Sequence, residues 1–307
     1  MTLHRYRAFG LAIESEWPLP ELAEVDAAEA GEPDLRIVVT DIGRAIPPPD
    51  APSQFDFDDP EGVVMLWPHV GGFRIRLPDV IEMQPASIAK PEYVAFPLLG
   101  PVVAWYLHLR GRMILHASAL VWRGRAFGFL GDKLAGKSTT AAAFLRDGGR
   151  LVTDDLLVFD MDDPARPTVQ PAFAQLKLSE ESAEAVPVEG AEALPLIIDG
   201  FPKRQHRLDG LADQPDGFDA LFVLQRGGEE ARVEWLDQSD ALTQLARFSY
   251  NVRFDTAPPE MLDRRRHFQH CAALARAVRV GVLHIPASLE RLPEAVETVG
   301  RALGADE

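Results

Sequence analysis

The stretch "GDKLAGKST", residues 131 to 139, constrains this chain more than any other nine residues. Its glycines and its Lys-Ser pair have the G-x-x-x-x-G-K-[ST] spacing of a loop that cradles phosphates. Gly131 and Gly136 let the backbone curl, so that the N–H groups of Asp132, Lys133, Leu134, Ala135 and the residues up to Thr139 can turn toward one anion. A helix starting near Lys137 adds its positive N-terminal end. Lys137 would reach the β- and γ-phosphates of a nucleotide, and the Ser138 hydroxyl would ligate Mg²⁺. Such a loop needs a strand before it and a helix after it. The apolar "AFGFL" and the alanine-rich "KSTTAAAFLRDG", closed by Gly148 and Gly149, supply both.

Downstream, "RLVTDDLLVFDM" reads as a pair of apolar strands interrupted by two adjacent carboxylates, Asp154 and Asp155. Buried carboxylates are costly unless a cation or hydrogen bonds compensate them, and Mg²⁺ beside a nucleotide would do so. Thr-Asp-Asp is also a good β-turn sequence, so a plain turn between two strands is the competing reading. Upstream, His116 stands in the apolar run "ILHASAL", where it is either a satisfied core histidine or part of the same site.

Two domains are expected. Residues 1 to 88 carry short β-branched or alternating runs, "LRIVVT", "VVMLWP", "FRIRL" and "VIEMQ", around the Pro-rich "IPPPDAPS", and form a small β-rich domain without catalytic residues. Residues 89 to 307 form an α/β domain around the loop. It opens on an apolar helix ending near "LRGR", followed by strands "MILHASALVW" and "RAFGFLGD" joined by a turn at Arg123–Gly124. Residues 162 to 217 read as largely irregular, with one short helix near "SEESAEAV". Then come strands "FDALFVLQRG" and "ARVEWLD", a helix with a Ser-Asp cap at "SDALTQLARFSY", a helix over "PEMLDRRRHFQHCAALARAV", a strand "VRVGVLHIP" and a last helix.

Composition limits the partners. A formal net charge of −16 over 307 residues argues against nucleic acid. The triplet Arg264–Arg266 on one helix splays over different faces and reads as solvated. The uncharged run Tyr93–Leu109 falls short of a membrane span and is interrupted by Pro97 and Pro101, so no membrane association is expected. Cys271 is the only cysteine and reads as a buried, inert thiol. With no signal peptide recognised, the cytoplasm, where ATP is available, is the expected compartment.

Residues 115 to 155, "LHASALVWRGRAFGFLGDKLAGKSTTAAAFLRDGGRLVTDD", resemble the catalytic core of the HPr serine kinase/phosphorylase family. They are closer still to its short HPr-kinase-related branch, some members of which are encoded beside lasso-peptide and other ribosomal-peptide genes. The opening "YRAFGLAIESEWPLPEL" is similar to the N-terminus of that branch, and "QLKLS" around Lys177 and "PKRQHRL" around Lys203 and Arg204 resemble the basic segments that follow its core. His116 lies 21 residues before Lys137 and Asp154 lies 17 after it, spacings that fit the family. Thr139 stands where HPr kinases carry Glu, and their downstream glycine-rich segment is missing; both weigh against HPr as acceptor and against phosphorylase activity.

The resemblance implies an HPr-kinase/PEP-carboxykinase-like P-loop kinase domain that uses ATP and Mg²⁺ on the serine of a small ribosomal peptide or protein. Under it, Ser138 and Asp155 hold the metal, Asp154 is the general base, His116 orients the pair, and Arg204 or Lys203 neutralises charge on the transferring phosphoryl. An HPr-type protein kinase/phosphorylase, a small-molecule kinase and a non-catalytic nucleotide-binding regulator are the alternatives. Homo-oligomerisation is left open.

Overall fold

The computed structural model describes residues 2–26, 31–196, 202–254, 257–258 and 260–305. The chain divides into two compact units, Met1–Arg112 with Arg253–Arg264, and Met113–Val252 with Arg265–Glu307.

The first unit holds a seven-stranded sheet of β1 (His4–Ala8), β2 (Leu11–Ser15), β3 (Leu35–Val39), β4 (Gln54–Asp56), β5 (Val63–Trp67), β6 (Gly71–Arg76) and β7 (Val80–Pro85), ordered β1-β2-β3-β7-β6-β5-β4. The strands expected from β-branched runs are present. β1, β2 and β4 are added from more polar segments such as "HRYRA". Period-two burial puts Leu35, Ile37, Ile81 and Met83 in the core.

After the sheet come α1 (Pro91–Pro97), a π-helical turn over Leu98–Val102 and α2 (Val103–Leu109). Pro101 has no N–H to give to the helical ladder, and Gly100 leaves helical geometry, so the run breaks there. This segment belongs to the first unit, whereas the sequence suggested a division at 88/89. The reason is its buried aromatic face. The Tyr106 hydroxyl reaches the Asp34 and Pro78 carbonyls at 3.0 and 3.1 Å. The Trp105 ring packs 4.9 Å from Phe57 and 5.1 Å from Phe254. Among the described residues no helix is long and apolar enough to cross a membrane.

The second unit is an α/β layer structure. β8 (Met113–Trp122) and β9 (Arg125–Leu130) form a hairpin across Arg123 and Gly124, both at positive φ, as a two-residue primed turn requires. α3 (Lys137–Arg146) follows, then β10 (Arg150–Asp160) and β11 (Thr168–Gln170). Later elements are α5 (Gln238–Arg247), α6 (Arg264–Ala277) and α7 (Leu292–Leu303), with β15 (Ala220–Gly228), β16 (Arg232–Trp235) and β17 (Arg279–Pro286). The sheet order is β11-β10-β8-β9-β15-β17-β16; β9, β15 and β17 run parallel and the rest antiparallel.

Helices cover both faces of this sheet. Phe127, Phe129, Phe144 and Phe222 pack with the alanines of α3 and with Leu292 and Val299 of α7. On the other face Leu115, Leu157, Phe159 and Leu221 pack with Leu245 of α5 and Leu274 of α6. Alternating residues of one strand, such as Leu221 and Phe222, thus enter different cores.

Three sequence expectations change here. β10 is one continuous strand through the carboxylate pair, so the turn reading fails. Residues 162–217 are not irregular throughout: β12 (Gln175–Leu178), β13 (Glu192–Ala193) and β14 (Arg204–Arg207) make a three-stranded sheet beside α4 (Glu180–Ala185). The alternation in "QLKL" of β12 spans only four residues, and β13 and β14, "EA" and "RQHR", give none to read. Helix α5 is capped by Asp237, whose carboxylate accepts from the N–H groups of Ser239 and Asp240 at 2.9 Å, so the cap lies earlier than the Ser-Asp pair.

Candidate functional site

All the groups of the candidate site lie in the second unit. β9 ends at Leu130 and α3 begins at Lys137, so residues 131–136 form the strand–loop–helix connection that the glycine spacing predicts. Each glycine has a separate cause. A Cβ on Gly131 would stand 2.8 Å from the Ala135 Cβ, which leaves no room for one. Gly136, the N-cap of α3, has φ +94°, a conformation open to glycine at little cost. Leu134 also has positive φ, at 70°, and projects from the loop with 69% exposure.

Lys137 is buried, and its Nζ donates to the carbonyl oxygens of Gly131 (2.9 Å) and Asp132 (3.3 Å). The ammonium therefore sits inside the loop's curve, where an incoming phosphate would compete for it. The Asp132 carboxylate accepts from Arg247 at the end of α5, at 2.7 Å. Thr139 points away from this chemistry; its hydroxyl is buried 2.9 Å from Ser182 of α4.

The carboxylate pair lies beside the start of α3. Asp154 stands opposite Ser118 in the β10–β8 register. One of its oxygens, Oδ1, accepts from Ser118 in a short hydrogen bond and from the loop residue Ser138 at 3.1 Å. The other, Oδ2, accepts the backbone N–H of Lys177 on β12 at 3.0 Å. Asp155 does not follow its neighbour. It has φ +87° within a strand, a conformation costing on the order of 1–3 kcal/mol that persists only where its surroundings impose it. Its carboxylate meets the Lys177 ammonium, Nζ to Oδ2 at 2.5 Å. Its carbonyl accepts from His116 Nδ1 at 3.2 Å, which makes Nδ1 the protonated nitrogen in that bond.

The two carboxyls are pushed in opposite directions. Burial raises the Asp154 pKa, and the charge of Asp155 raises it further; the Ser118 hydroxyl, the Lys177 N–H and the Lys203 charge offset this only in part. At Asp155 burial also acts upward, but the Lys177 ammonium, then His116 and Lys203, outweigh it and hold the carboxyl well below the usual range. Asp154 is thus a buried carboxyl short of positive charge, and Asp155 is a firmly ionised one.

The structure brings together the loop, Lys137, Ser138, His116, Asp154 and Asp155. It adds Lys177 through both its backbone and its side chain. Of the two downstream cations considered, Lys203 acts on both carboxylates, whereas Arg204 is exposed on β14 and its charge bears on His206. Arg226, at the end of β15, was not anticipated. Lys177 lies in "QLKLS", which resembles the basic segments that follow the core, whereas Arg226 lies in a Gln-Arg-Gly tail with no local signature.

Among the described residues no group of three or more His, Cys, Asp or Glu could hold a metal ion unaided. Ser138 and Asp154 still fit Mg²⁺, which in nucleotide sites takes one or two protein ligands and completes its shell with phosphate oxygens and water. The electrostatics agree, since Asp154 is the carboxyl that a cation would relieve.

Elsewhere, buried Cys271 lies 3.5 Å from His267 Nε2, which is 2.7 Å from the Ser249 hydroxyl. Burial lowers the His267 pKa and pushes the Cys271 thiol up to about 11, so the sulfur stays protonated and inert, as expected. Arg264 and Arg265 are exposed at the start of α6.

No protein-family model and no curated protein matches the chain. Among solved structures it pairs with the HPr(Ser) kinase/phosphatase from Coxiella burnetii at 13% identity, over 62% of this chain and 96% of that one, with a TM-score of 0.27. Identity and superposition are both too low for that likeness to transfer an activity.

Proposed function

We propose that the chain is an ATP-dependent kinase that transfers the γ-phosphate to a serine hydroxyl on a small ribosomally made peptide or small protein. The observation that carries this reading is the hydrogen bond from loop Ser138 to Asp154, with the second carboxylate, Asp155, turned away beside it. A phosphate loop that only sensed a nucleotide would need no second, ionised carboxylate. The resemblance of residues 115–155 to HPr-kinase-related proteins, in its peptide-cluster branch, supplies the acceptor class.

The geometry favours exchanging the roles that the sequence suggested for the two aspartates. Asp154 shares its Oδ1 with Ser138 and belongs on the metal side. Mg²⁺, held by Ser138 and Asp154, would neutralise phosphate charge. Asp155 is the better candidate to accept the proton of the serine hydroxyl as its oxygen bonds to the γ-phosphorus and ADP leaves. His116 fixes the Asp155 backbone, and Lys177 holds its carboxylate. Lys137 and the loop amides bind the phosphates, and Lys203 adds positive charge. Such an enzyme works in the cytoplasm, where its ATP is.

Single-turnover transfer from labelled ATP to a panel of serine-containing peptides, set against an excess of small hydroxyl compounds, tests the reading. Label on a peptide serine supports it. Transfer only to a small molecule favours the small-molecule kinase, and tight ATP binding without transfer favours the regulator.

A further inference from the structure

In an open sheet, ligands bind beyond the carboxyl ends of the parallel strands. The phosphate loop leaves the carboxyl end of β9. The neighbouring parallel strand is β15, with Val223 in register with Leu130, so the residues after Val223 run alongside the loop. Arg226 is among them. Between Arg226 and Gly228 the pairing of β15 with β17 slips by one residue, and Gly227 there has φ +99°. A bulge of this kind re-aims the side chain next to it.

The re-aimed side chain lies over the loop. A Cβ on Gly136 would stand 3.4 Å from Arg226 Cζ and Nη1 and 3.6 Å from Nε. Three atoms of the guanidinium plane at nearly one distance mean that the plane faces the glycine. Its N–H groups therefore lie in a plane beside the loop backbone at Gly136. The Arg226 side chain is exposed, and among the described residues none forms an ion pair or hydrogen bond with its guanidinium. The other arginine at the loop, Arg247, is taken up by Asp132.

We infer that Arg226 is a nucleotide-contacting residue that binds the β-phosphate held by the loop and receives the charge that develops on ADP. This rests on the proposed phosphotransfer. In that reaction the bond between the γ-phosphorus and the β,γ-bridging oxygen breaks, and its electron pair stays on the ADP β-phosphate. The acceptor oxygen forms the new bond to phosphorus, and its proton passes to Asp155. Loop amides near Gly136 cradle the inner phosphates and Lys137 spans the β- and γ-phosphates. A guanidinium over Gly136 adds a planar, permanently charged donor set on the β side.

Calorimetric titration of wild type, Arg226→Gln and Arg226→Lys with Mg·ADP, Mg·ATP and AMP tests the inference, with exposed Arg232→Gln as the control. Arg226→Gln should weaken Mg·ADP and Mg·ATP about tenfold or more, leave AMP unchanged, and slow single-turnover transfer beyond its effect on ATP affinity. Arg226→Lys should recover part of the ADP affinity, because a point charge replaces the fork. The thermal midpoint should stay at the wild-type value, since the side chain is exposed. Mg·ADP affinity within twofold of wild type in Arg226→Gln overturns the inference and leaves the kinase reading standing. A wild-type protein that binds neither Mg·ADP nor Mg·ATP overturns both.

Discussion

Lys177 Nζ stands 2.5 Å from Asp155 Oδ2, and the backbone N–H of the same lysine donates to Asp154 at 3.0 Å. One residue of β12 thus ties both carboxylates, and only one tie depends on its side chain. Lys177→Ala should leave Asp154 in place through the strand register and release Asp155. Without the ammonium, burial at Asp155 is opposed only by His116 and Lys203, and its pKa rises. The acid limb of the pH–rate profile should then move to higher pH and transfer at neutral pH should fall, while Lys177→Arg should restore most of the wild-type limb. Single-turnover transfer measured from pH 5 to 8 checks this. An unmoved acid limb in Lys177→Ala means that Lys177 does not govern the base.

Cys271 gives a prediction about stability alone. Its thiol is pushed up to about 11 by burial, with a smaller opposing effect from the Ser249 hydroxyl. A pKa raised on folding means that the native state holds its proton longer than the unfolded chain. The contribution is fully present below the unfolded value and is lost as pH rises from about 9 to 11. Two units correspond to roughly 2–3 kcal/mol. Urea melts at pH 8 and pH 10.5 should therefore show a steeper loss for wild type than for Cys271→Ala. Parallel losses in the two proteins would mean that another group carries the alkaline sensitivity.

The parts of the site that were legible in the sequence are those whose physics is local. Two glycines at fixed spacing, an apolar strand before them and a helix after them allow few structures other than the loop found between β9 and α3. Arg123–Gly124 marked the hairpin for the same reason. Asp154 and Asp155 were legible as costly, but not as a continuous strand. Thr-Asp-Asp has turn chemistry, and only the register with Ser118 and Ala117 of β8 holds Asp155 at positive φ inside β10. Lys177 was legible only through the resemblance of "QLKLS" to the basic segments after the core, and Arg226 not at all, because their roles come from strand placement. The first lies 22 residues from its carboxylate and the second reaches Gly136 through a bulge in a neighbouring strand. The boundary near residue 88 failed because the apolar helix after it buries Trp105 and Tyr106 in the first unit.

Lys137→Ala should abolish transfer and weaken Mg·ATP binding at least tenfold, with the fold retained. The ammonium's hydrogen bonds are to loop carbonyls at 2.9 and 3.3 Å, so its loss removes a cation without opening either core. Calorimetry and a thermal melt on the same sample separate the two effects. Wild-type transfer in this variant would refute the loop assignment.

The aspartate pair is where the proposed mechanism is most exposed. Asp154→Asn keeps the size of the side chain and removes a buried charge next to Asp155. In Mg²⁺-free buffer at neutral pH the variant should be at least as stable as wild type, because the raised Asp154 pKa marks a carboxylate that destabilises the fold when ionised. That advantage should shrink as pH falls and wild-type Asp154 takes up its proton. The variant should also lose the Mg²⁺ dependence of nucleotide binding, since an amide is a poorer ligand than a carboxylate. Asp155→Asn should do the reverse. It should retain Mg·ATP binding, lose transfer by ~10²–10⁴-fold as a missing general base does, and lose stability because the ion pair of Asp155 with Lys177 is removed. Melts with and without Mg·ADP, together with single-turnover transfer, read all of these. If Asp154→Asn binds Mg·ATP normally but fails in transfer, while Asp155→Asn loses the metal dependence, the roles are the other way round and the hydrogen bond from Ser138 does not mark the metal ligand. If both variants transfer phosphate at the wild-type rate, the pair is structural and the kinase reading falls.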